Sequence, residues 1–444
     1  MEKTIDTQLV GEDQQGLRIA KVVCLSVAIM VAAELIGSAT FSVGPGKVVM
    51  LPMVWALLIG VAVGLAKDRL PWGLRLDTAA QFDAAKILQP ALLLFIAKLG
   101  LLVGSSLPQL AASGWALALQ EFGHFVGTIM IGLPLALMLG IKREAIGATF
   151  SVGREPSLAI IAEKYGMDSP EGRGVLAEYL TGTVFGALFI AVLAGFLASL
   201  HVLDPVALAM GAGVGSGSMM AAASGAIAAL QTPEVAKQVV TFAAASNLIT
   251  TTIGTYFTLF ISLPLAVWAY RVLEPVIGRK ERAVAADKRS AAEPVIDHGA
   301  PLGLLGSAGA WLLTAALTVI VEWMSRGTSP IVSMAAMAVI LVPVVAGVAV
   351  ARLAGGRVPA VCTVSLIAMA MTSPWCPLAA QIVDLTGKAN FLSFLTPVLT
   401  FAGLSIAKDV PAFRRLGWRI VVVSLAANAG TFIGAALIAQ FFHH

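Results

Sequence analysis

The sequence predicts an all-α polytopic membrane protein with about 10–13 membrane segments, two or three of them broken or re-entrant. Three observations predict it. Of the 444 residues, 58% are hydrophobic and only 12% charged, too few charges to cover a soluble globule. The mean hydropathy is +0.89. Apolar runs of helix length recur from one end to the other. The same composition excludes a soluble multi-domain enzyme and a disordered chain. The net charge of +4 sits mostly in loops, where it sets membrane orientation and gives no sign of nucleic-acid binding. Cys24, Cys362 and Cys376 are spread through apolar stretches without a CxxC pair, which points to packing roles and away from a disulfide framework or a zinc site.

Taken in order, a tail over 1–18 leads into a first span at about 19–37, flanked by Arg18 and Lys21. Its length and the acids upstream argue for a retained helix over a signal peptide. Further runs lie at roughly 47–66, 88–107, 111–140, 174–200, 237–270, 302–322, 331–353, 389–407 and 417–441. Three stretches, 145–165, 206–231 and 359–385, are apolar but interrupted by Gly, Pro, Ser and Thr.

Positive loops orient the chain: Lys67, Arg69, Arg75 and Lys86, then Lys142 and Arg143, then Arg271, Arg279, Lys280, Arg282, Lys288 and Arg289 all belong in the cytoplasm. An even number of crossings therefore separates Arg143 from Arg271, so 145–165 and 206–231 both cross or both return to their side of entry. Arg414 and Arg415 inside put the C-terminus outside; the paired His443 and His444 are given no role. The organisation expected is a cytoplasmic tail 1–18, a scaffold-like helix group 19–140, a broken-helix core 141–270, a cytoplasmic loop 271–300 and a second helix group 301–444 with its own break at 359–385.

The chain repeats itself. Val152-Gly153 matches Val214-Gly215, and Ser169-Pro170-Glu171 matches Thr232-Pro233-Glu234 after a one-residue shift; Gly186 and Phe189 then match Gly254 and Phe257. The inverted reading of these copies is favoured, because Arg154, Glu155, Glu163 and Lys164 would be costly on a lipid-facing span. A second duplication pairs Gly100, Pro108, Gly114-Trp115 and Gly127-Thr128 with Gly403, Pro411, Gly417-Trp418 and Gly430-Thr431. The spans ending near Glu34 and Glu322 also look alike.

Inside a bilayer a Gly/Ser/Pro-rich break is tolerated only where it lines a polar cavity or is buried in protein. The breaks SVGREPS at 151–157 and GAGVGSGS at 211–218 are therefore the candidate substrate elements. Free N–H groups at helix starts and the hydroxyls of Ser151, Ser157, Ser216 and Ser218 suit an anion, Gly153, Gly215 and Gly217 let the backbone approach it, and Arg154 can grip a carboxylate through two hydrogen bonds. Close helix packing through small residues is the competing explanation. The third break, TSPWCP, can add Thr372 and Ser373 to the cavity or be a proline kink. For ion coupling, Glu121 and His124 share a helix face and can carry a proton, or form a structural pair neutralised by Lys98. Glu178, Thr181 and Thr183 face a counterpart set of Ser246, Asn247, Thr250, Thr251 and Thr252, whose oxygens suit Na⁺ near Asn247 and Thr250. No other metal and no cofactor is expected.

In this pattern the chain resembles a bacterial integral-membrane family described only as a domain of unknown function, over almost its whole length. More distantly, through many spans with two Gly/Ser-rich hairpins in a central domain, it resembles the sodium/glutamate and 2-hydroxycarboxylate symporters; GVGSGS at 213–218 is similar to, and does not reproduce, the glycine signature of the latter. The resemblance implies an elevator-type carrier in the bacterial inner membrane, a homodimer, that moves a small organic anion with Na⁺ or H⁺. A passive channel or holin-like pore is the rival, since glycine-lined breaks also build pores. An intramembrane protease is remote, because the GxSG and paired-aspartate signatures are absent, and no GxxxxGK phosphate loop supports ATP-driven pumping. The chain is not expected to be an enzyme.

Overall fold

Apolar chain in lipid must satisfy its own backbone, and among the described residues it does so mainly by closing into helices, with one two-stranded hairpin. The computed structural model describes residues 2–43, 46–66, 69, 75–108, 115–153, 155–166, 169–254, 257–278, 302–355, 358, 360–406, 408 and 417–442. Helix α1 (Glu2–Ile36) leads into an antiparallel hairpin, β1 (Ala39–Val43) and β2 (Gly46–Met50), with Ala39 opposite Met50. Then come α2 (Pro52–Leu65), α3 (Thr78–Ser105), α4 (Trp115–Met138), α5 (Glu144–Thr149), α6 (Glu155–Tyr165) and α7 (Pro170–Leu200). The middle of the chain continues with α8 (Pro205–Gly213), α9 (Gly217–Ala228), α10 (Pro233–Ile249) and α11 (Thr258–Ile277). The last part holds α12 (Leu304–Arg326), α13 (Pro330–Leu353), α14 (Ala360–Thr372), α15 (Ala379–Gly387), α16 (Phe391–Ile406) and α17 (Trp418–Phe442).

Local chemistry sets several helix starts. Asp77 accepts from the Ala80 N–H at 2.7 Å and Asp204 from Val206 N–H at 2.7 Å, capping α3 and α8. Ser169 and Thr232 cap α7 and α10, each with proline next, where its fixed φ suits the first helical position. The matched Ser/Thr-Pro-Glu tripeptides are thus one helix-start signal used twice.

Among the described residues, eight helices are long and apolar enough to cross a membrane: Gly16–Ile36 of α1, α3, α4, α7, α11, α12, α13 and α17. The pair α15 and α16, bent by 62°, makes a ninth. This is fewer than the 10–13 segments expected, for identifiable reasons. The run at 47–66 opens as strand β2, where Val48 and Val49 suit a pleated backbone, and leaves α2 only 14 residues. Fourteen residues reach about 21 Å, short of a hydrocarbon core about 30 Å thick. The run at 237–270 changes to π-helix at Thr250–Gly254, and 359–385 divides into the 13-residue α14 and the nine-residue α15. The all-α expectation missed the hairpin because apolar residues in 47–50 do not reveal their period in so short a run.

Two apolar clusters hold the helices. The larger joins α1, α2 and α3 to α7–α10 and to α12–α16; the smaller lies among α4, α5, α6, α11 and the first turns of α7 and α17. Helices α4 and α17 cross antiparallel at four glycines, Gly123 facing Gly434 and Gly127 facing Gly430, so closely that a Cβ on any of the four would strike the carbonyl of its partner. Beside the crossing, Thr128 Oγ1 and Thr431 Oγ1 lie 2.6 Å apart. Gly127 and Gly430, like Thr128 and Thr431, are matched positions of the second duplication, so copies meet at equivalent residues. The acids ending the look-alike spans both hold α16: Glu34 accepts from Thr396 Oγ1 at 3.0 Å, and Glu322 from Asn390 N–H at 2.6 Å.

Gly127→Val is expected to cost about 1–3 kcal/mol of stability, because the crossing has no room to yield. Gly309→Ala in α12, where no atom lies within reach of a Cβ, is expected to leave stability unchanged or raise it. Unfolding midpoints of the purified protein in detergent measure both; a Gly127→Val midpoint equal to wild type would contradict the tight crossing.

Candidate functional site

Both interrupted stretches fold into the same series of elements. In the first, α5 ends at Thr149, a break spans 151–153, α6 follows, and α7 changes to π-helix at Gly182–Gly186. In the second, α8 ends at Gly213, a break spans 214–216, α9 follows, and α10 runs into π-helix at Thr250–Gly254. The repeat-matched Gly186 and Gly254 close the two π segments. Such segments insert a residue into the helical ladder and recur at functional sites.

At the second break, Gly215 has φ +139°, open to glycine and strained for any side chain. Ser216 caps α9 and lies 3.2 Å from the Ser218 hydroxyl, and no atom stands near the place of a Cβ on Gly217, so the start of α9 opens onto free space. The break leaves carbonyls without helical partners. Asn247 supplies them, its Nδ2 donating to Gly213 O at 2.8 Å and Gly215 O at 3.0 Å. The neighbouring Ser246 hydroxyl reaches Met210 O at 2.7 Å and Gln120 Oε1 at 3.0 Å. Asn247 therefore turns donors, not its oxygen, toward the break.

At the first break, Ser151 and Ser157 are fully buried on either side of Gly153. Ser151 Oγ accepts from Gly153 N–H at 3.0 Å, while Ser157 Oγ has no hydrogen-bond partner among the described residues. Ser262 of α11 donates to Phe150 O just before the break. In return, Met219 at the start of α9 packs on Gly186 of α7. Each break is thus braced by a helix of the other copy. Arg154 lies outside the described residues, as do the side chains of Glu155, Glu163 and Thr252. No hydrogen bond among the described residues joins one break to the other.

A buried polar chain runs from the second break into α4. Thr250 donates to Glu121 Oε1, Gln120 Nε2 donates to the same oxygen at 3.3 Å, and His124 Nδ1 lies 3.4 Å from Oε2. Glu121 and His124 are each 1% exposed, and His124 Nε2 has no hydrogen-bond partner among the described residues. Lys98 does not neutralise Glu121. Its amine donates to Thr386 O at 2.6 Å, at the C-terminal end of α15 where helix carbonyls are free, with Glu322 as its electrostatic partner. On the far side of α17, Glu178 Oε1 accepts from Asn428 Nδ2 at 3.4 Å. The hydroxyls of Thr181, Thr183 and Thr251 bond back to carbonyls one turn earlier.

The third break serves the scaffold. Thr372 donates to Leu101 O of α3 at 2.8 Å and Ser373 to Ala370 O at 2.9 Å, so neither hydroxyl is spare, and the following Trp375 and Asp384 are exposed. A recess of about 10 Å³ separates Asn247, Thr251 and Met220 from Ile96 and Leu99 of α3 and Ser365 of α14. That is room for about one water, so this conformation encloses no organic anion there. Asn428 and Ser262 were missed from the sequence. Asn428 was open to detection as a lone amide within an apolar span, whereas nothing distinguished Ser262 from other span serines.

Residues 31–272 match the model of the family described as Protein of unknown function (DUF3100). The chain belongs to this family. The matched stretch carries Glu121, His124, both breaks and the π segments at Gly182–Gly186 and Thr250–Gly254 of this DUF3100 protein, and leaves out α12–α17, with Thr372, Ser373 and Asn428. No curated protein and no solved structure matches the chain.

Asn247→Ala strands two buried carbonyls and is expected to cost about 1–3 kcal/mol. Hydrogen exchange of 211–220 should speed up in the variant; wild-type protection there would mean that Asn247 is not the clamp.

Proposed function

We propose that this DUF3100 protein is a secondary active transporter, not an enzyme, that moves a small organic anion such as a carboxylate, an amino acid or a conjugate, coupled to Na⁺ or H⁺. One observation carries the reading: two matched helix breaks are buried in an apolar helical protein, each braced by a helix of the other copy, and the second is tied by hydrogen bonds to a buried carboxylate. Irregular backbone deep in an apolar mass is costly, and paired broken helices around a solute are a recurrent transporter solution. The open space at Gly217 and the partnerless Ser157 hydroxyl support breaks that receive a ligand.

Arg154 is assigned to the substrate carboxylate, together with Ser151, Ser157, Ser216 and Ser218. The meeting of Gly127 with Gly430 and of Thr128 with Thr431 across an antiparallel crossing supports an inverted relation within the second duplication; the inverted reading of the two breaks rests on the charges of the first. Elevator movement, homodimer assembly, a bacterial inner-membrane location and a cytoplasmic N-terminus rest on the symporter resemblance and the positive loops. The one-water recess between α10 and α3 fits a closed conformation that must open to admit its solute.

Thermal-shift screening of the purified protein against carboxylates, amino acids and their conjugates, with and without Na⁺, tests this. A ligand at 100 times its Kd stabilises by about 2.7 kcal/mol. At least one carboxylate should raise the midpoint in wild type and fail to do so in Arg154→Ala. In proteoliposomes, flux of that compound should saturate and show counterflow. A flux with neither property would establish the pore instead, and a wild-type response in Arg154→Ala would overturn the assignment of that residue.

A further inference from the structure

Glu121 lies in the second turn of α4 with three bonded neighbours among the described residues, Gln120, His124 and Thr250, and neither a lysine nor an arginine. An ionised carboxylate in a desolvated place costs several kcal/mol unless something offsets its charge. Among the described residues, the only group in contact that can do so is the His124 imidazole, itself 1% exposed. Its Nδ1 faces Glu121 and its Nε2 is buried without a hydrogen-bond partner among the described residues. A pair so placed changes charge only by gaining or losing a proton.

The charged and titratable groups on the helices packed against α4 sit elsewhere. Glu144 starts α5, and Tyr270, Arg271 and Glu274 lie in the last turns of α11, where Glu274 pairs with Lys142 at 2.7 Å. Asp204 caps α8, Glu234 and Lys237 occupy the first turns of α10, and Arg419 the first turn of α17. None of them is bonded to Glu121 or His124.

What the carboxylate holds matters more than its isolation. Thr250 opens the second π segment, and Gly254, which closes it, leaves only 3.5 Å between a would-be Cβ and Glu121 Oε2. One turn before Thr250, Ser246 and Asn247 bond the Met210 and Gly213 carbonyls in the last turn of α8 and the Gly215 carbonyl in the break between α8 and α9. The Ser246 hydroxyl, with one proton, stands within bonding distance of both Met210 O and Gln120 Oε1, and α10 itself carries the link from Asn247 to Thr250 and so to Glu121. Ionised, Glu121 Oε1 accepts from both Thr250 and Gln120. A proton on the carboxyl group makes one oxygen a donor and weakens the other as an acceptor, so the grip on α10 slackens.

We propose that Glu121 and His124 are the proton-binding pair of this protein, and that proton uptake by the pair loosens the α8–α9 break through Thr250, Ser246 and Asn247. That this proton is the coupling ion rests on the carrier reading; the linkage between proton and break does not.

Hydrogen exchange of the full-length protein in nanodiscs, corrected for intrinsic exchange rates, tests it between about pH 5 and pH 8. Wild-type protection over 211–220 should fall several-fold on acidification, while protection over 331–345 in α13 stays level. Glu121→Gln, which keeps the shape but cannot titrate, should make 211–220 indifferent to pH, and Glu121→Asp should restore a response. Infrared spectra of wild type should gain a carboxylic-acid carbonyl band over the same interval. A pH-independent 211–220 segment in wild type, a wild-type response in Glu121→Gln, or no such band would each overturn the proposal. Absence of flux, by contrast, would count against the carrier reading alone.

Discussion

A peptide carbonyl withdrawn from water must find a donor, and in this protein that requirement falls hardest at Gly213 and Gly215. There a helix stops inside the apolar mass, and the next helix is too far round to supply the missing bonds. Asn247 meets both carbonyls with one amide, and Ser246 meets the next at Met210. Because these two side chains occupy α10, the position of that helix and the shape of the break are a single variable. The π segment that follows, and the Thr250 hydroxyl bonded to Glu121, extend the same linkage to α4.

The first stretch meets the same demand with different residues. Its break has a serine hydroxyl from within, Ser151 on Gly153, and one from the other copy, Ser262 on Phe150. The duplicated order of helix, break, helix, proline-started helix and π segment therefore does not produce duplicated bonds. The two places are alike in backbone and unlike in chemistry. Among the described residues, only the second is tied to a carboxylate and imidazole. At the centre, the glycine crossing of α4 and α17 puts Glu121 of one and Asn428 of the other within one tightly packed pair, reaching toward α10 and α7 respectively. Backbones brought this close leave little slack for one helix to move alone.

Much of the fold was legible because lipid-length apolar runs and N-cap residues are local signals. The runs at 302–322, 331–353 and 417–441 match α12, α13 and α17 to within a few residues, and Ser169-Pro170 and Thr232-Pro233 start helices as their residue types require. Length alone misjudged 47–66 and 237–270, where a strand and a π segment interrupt runs whose composition stays apolar. Of the candidate site, the breaks and the Glu121 and His124 pair were visible as polar or flexible residues in apolar surroundings. The use of Thr372, Ser373 and Lys98 as braces for α14 and α15 was not, because spare and engaged hydroxyls read alike in a sequence.

The sequence by itself determined that the chain lives in an apolar medium, where its helices begin, and that two related segments cannot run as regular helices. These follow from properties of single residues and short windows: hydropathy, the fixed φ of proline, the missing side chain of glycine. Only the tertiary structure decided which donors meet which stranded carbonyls, that Lys98 serves α15 and not Glu121, and that equivalent glycines of distant segments face each other. Those outcomes depend on which helices become neighbours, and that is set by the summed packing of many side chains far apart in the chain.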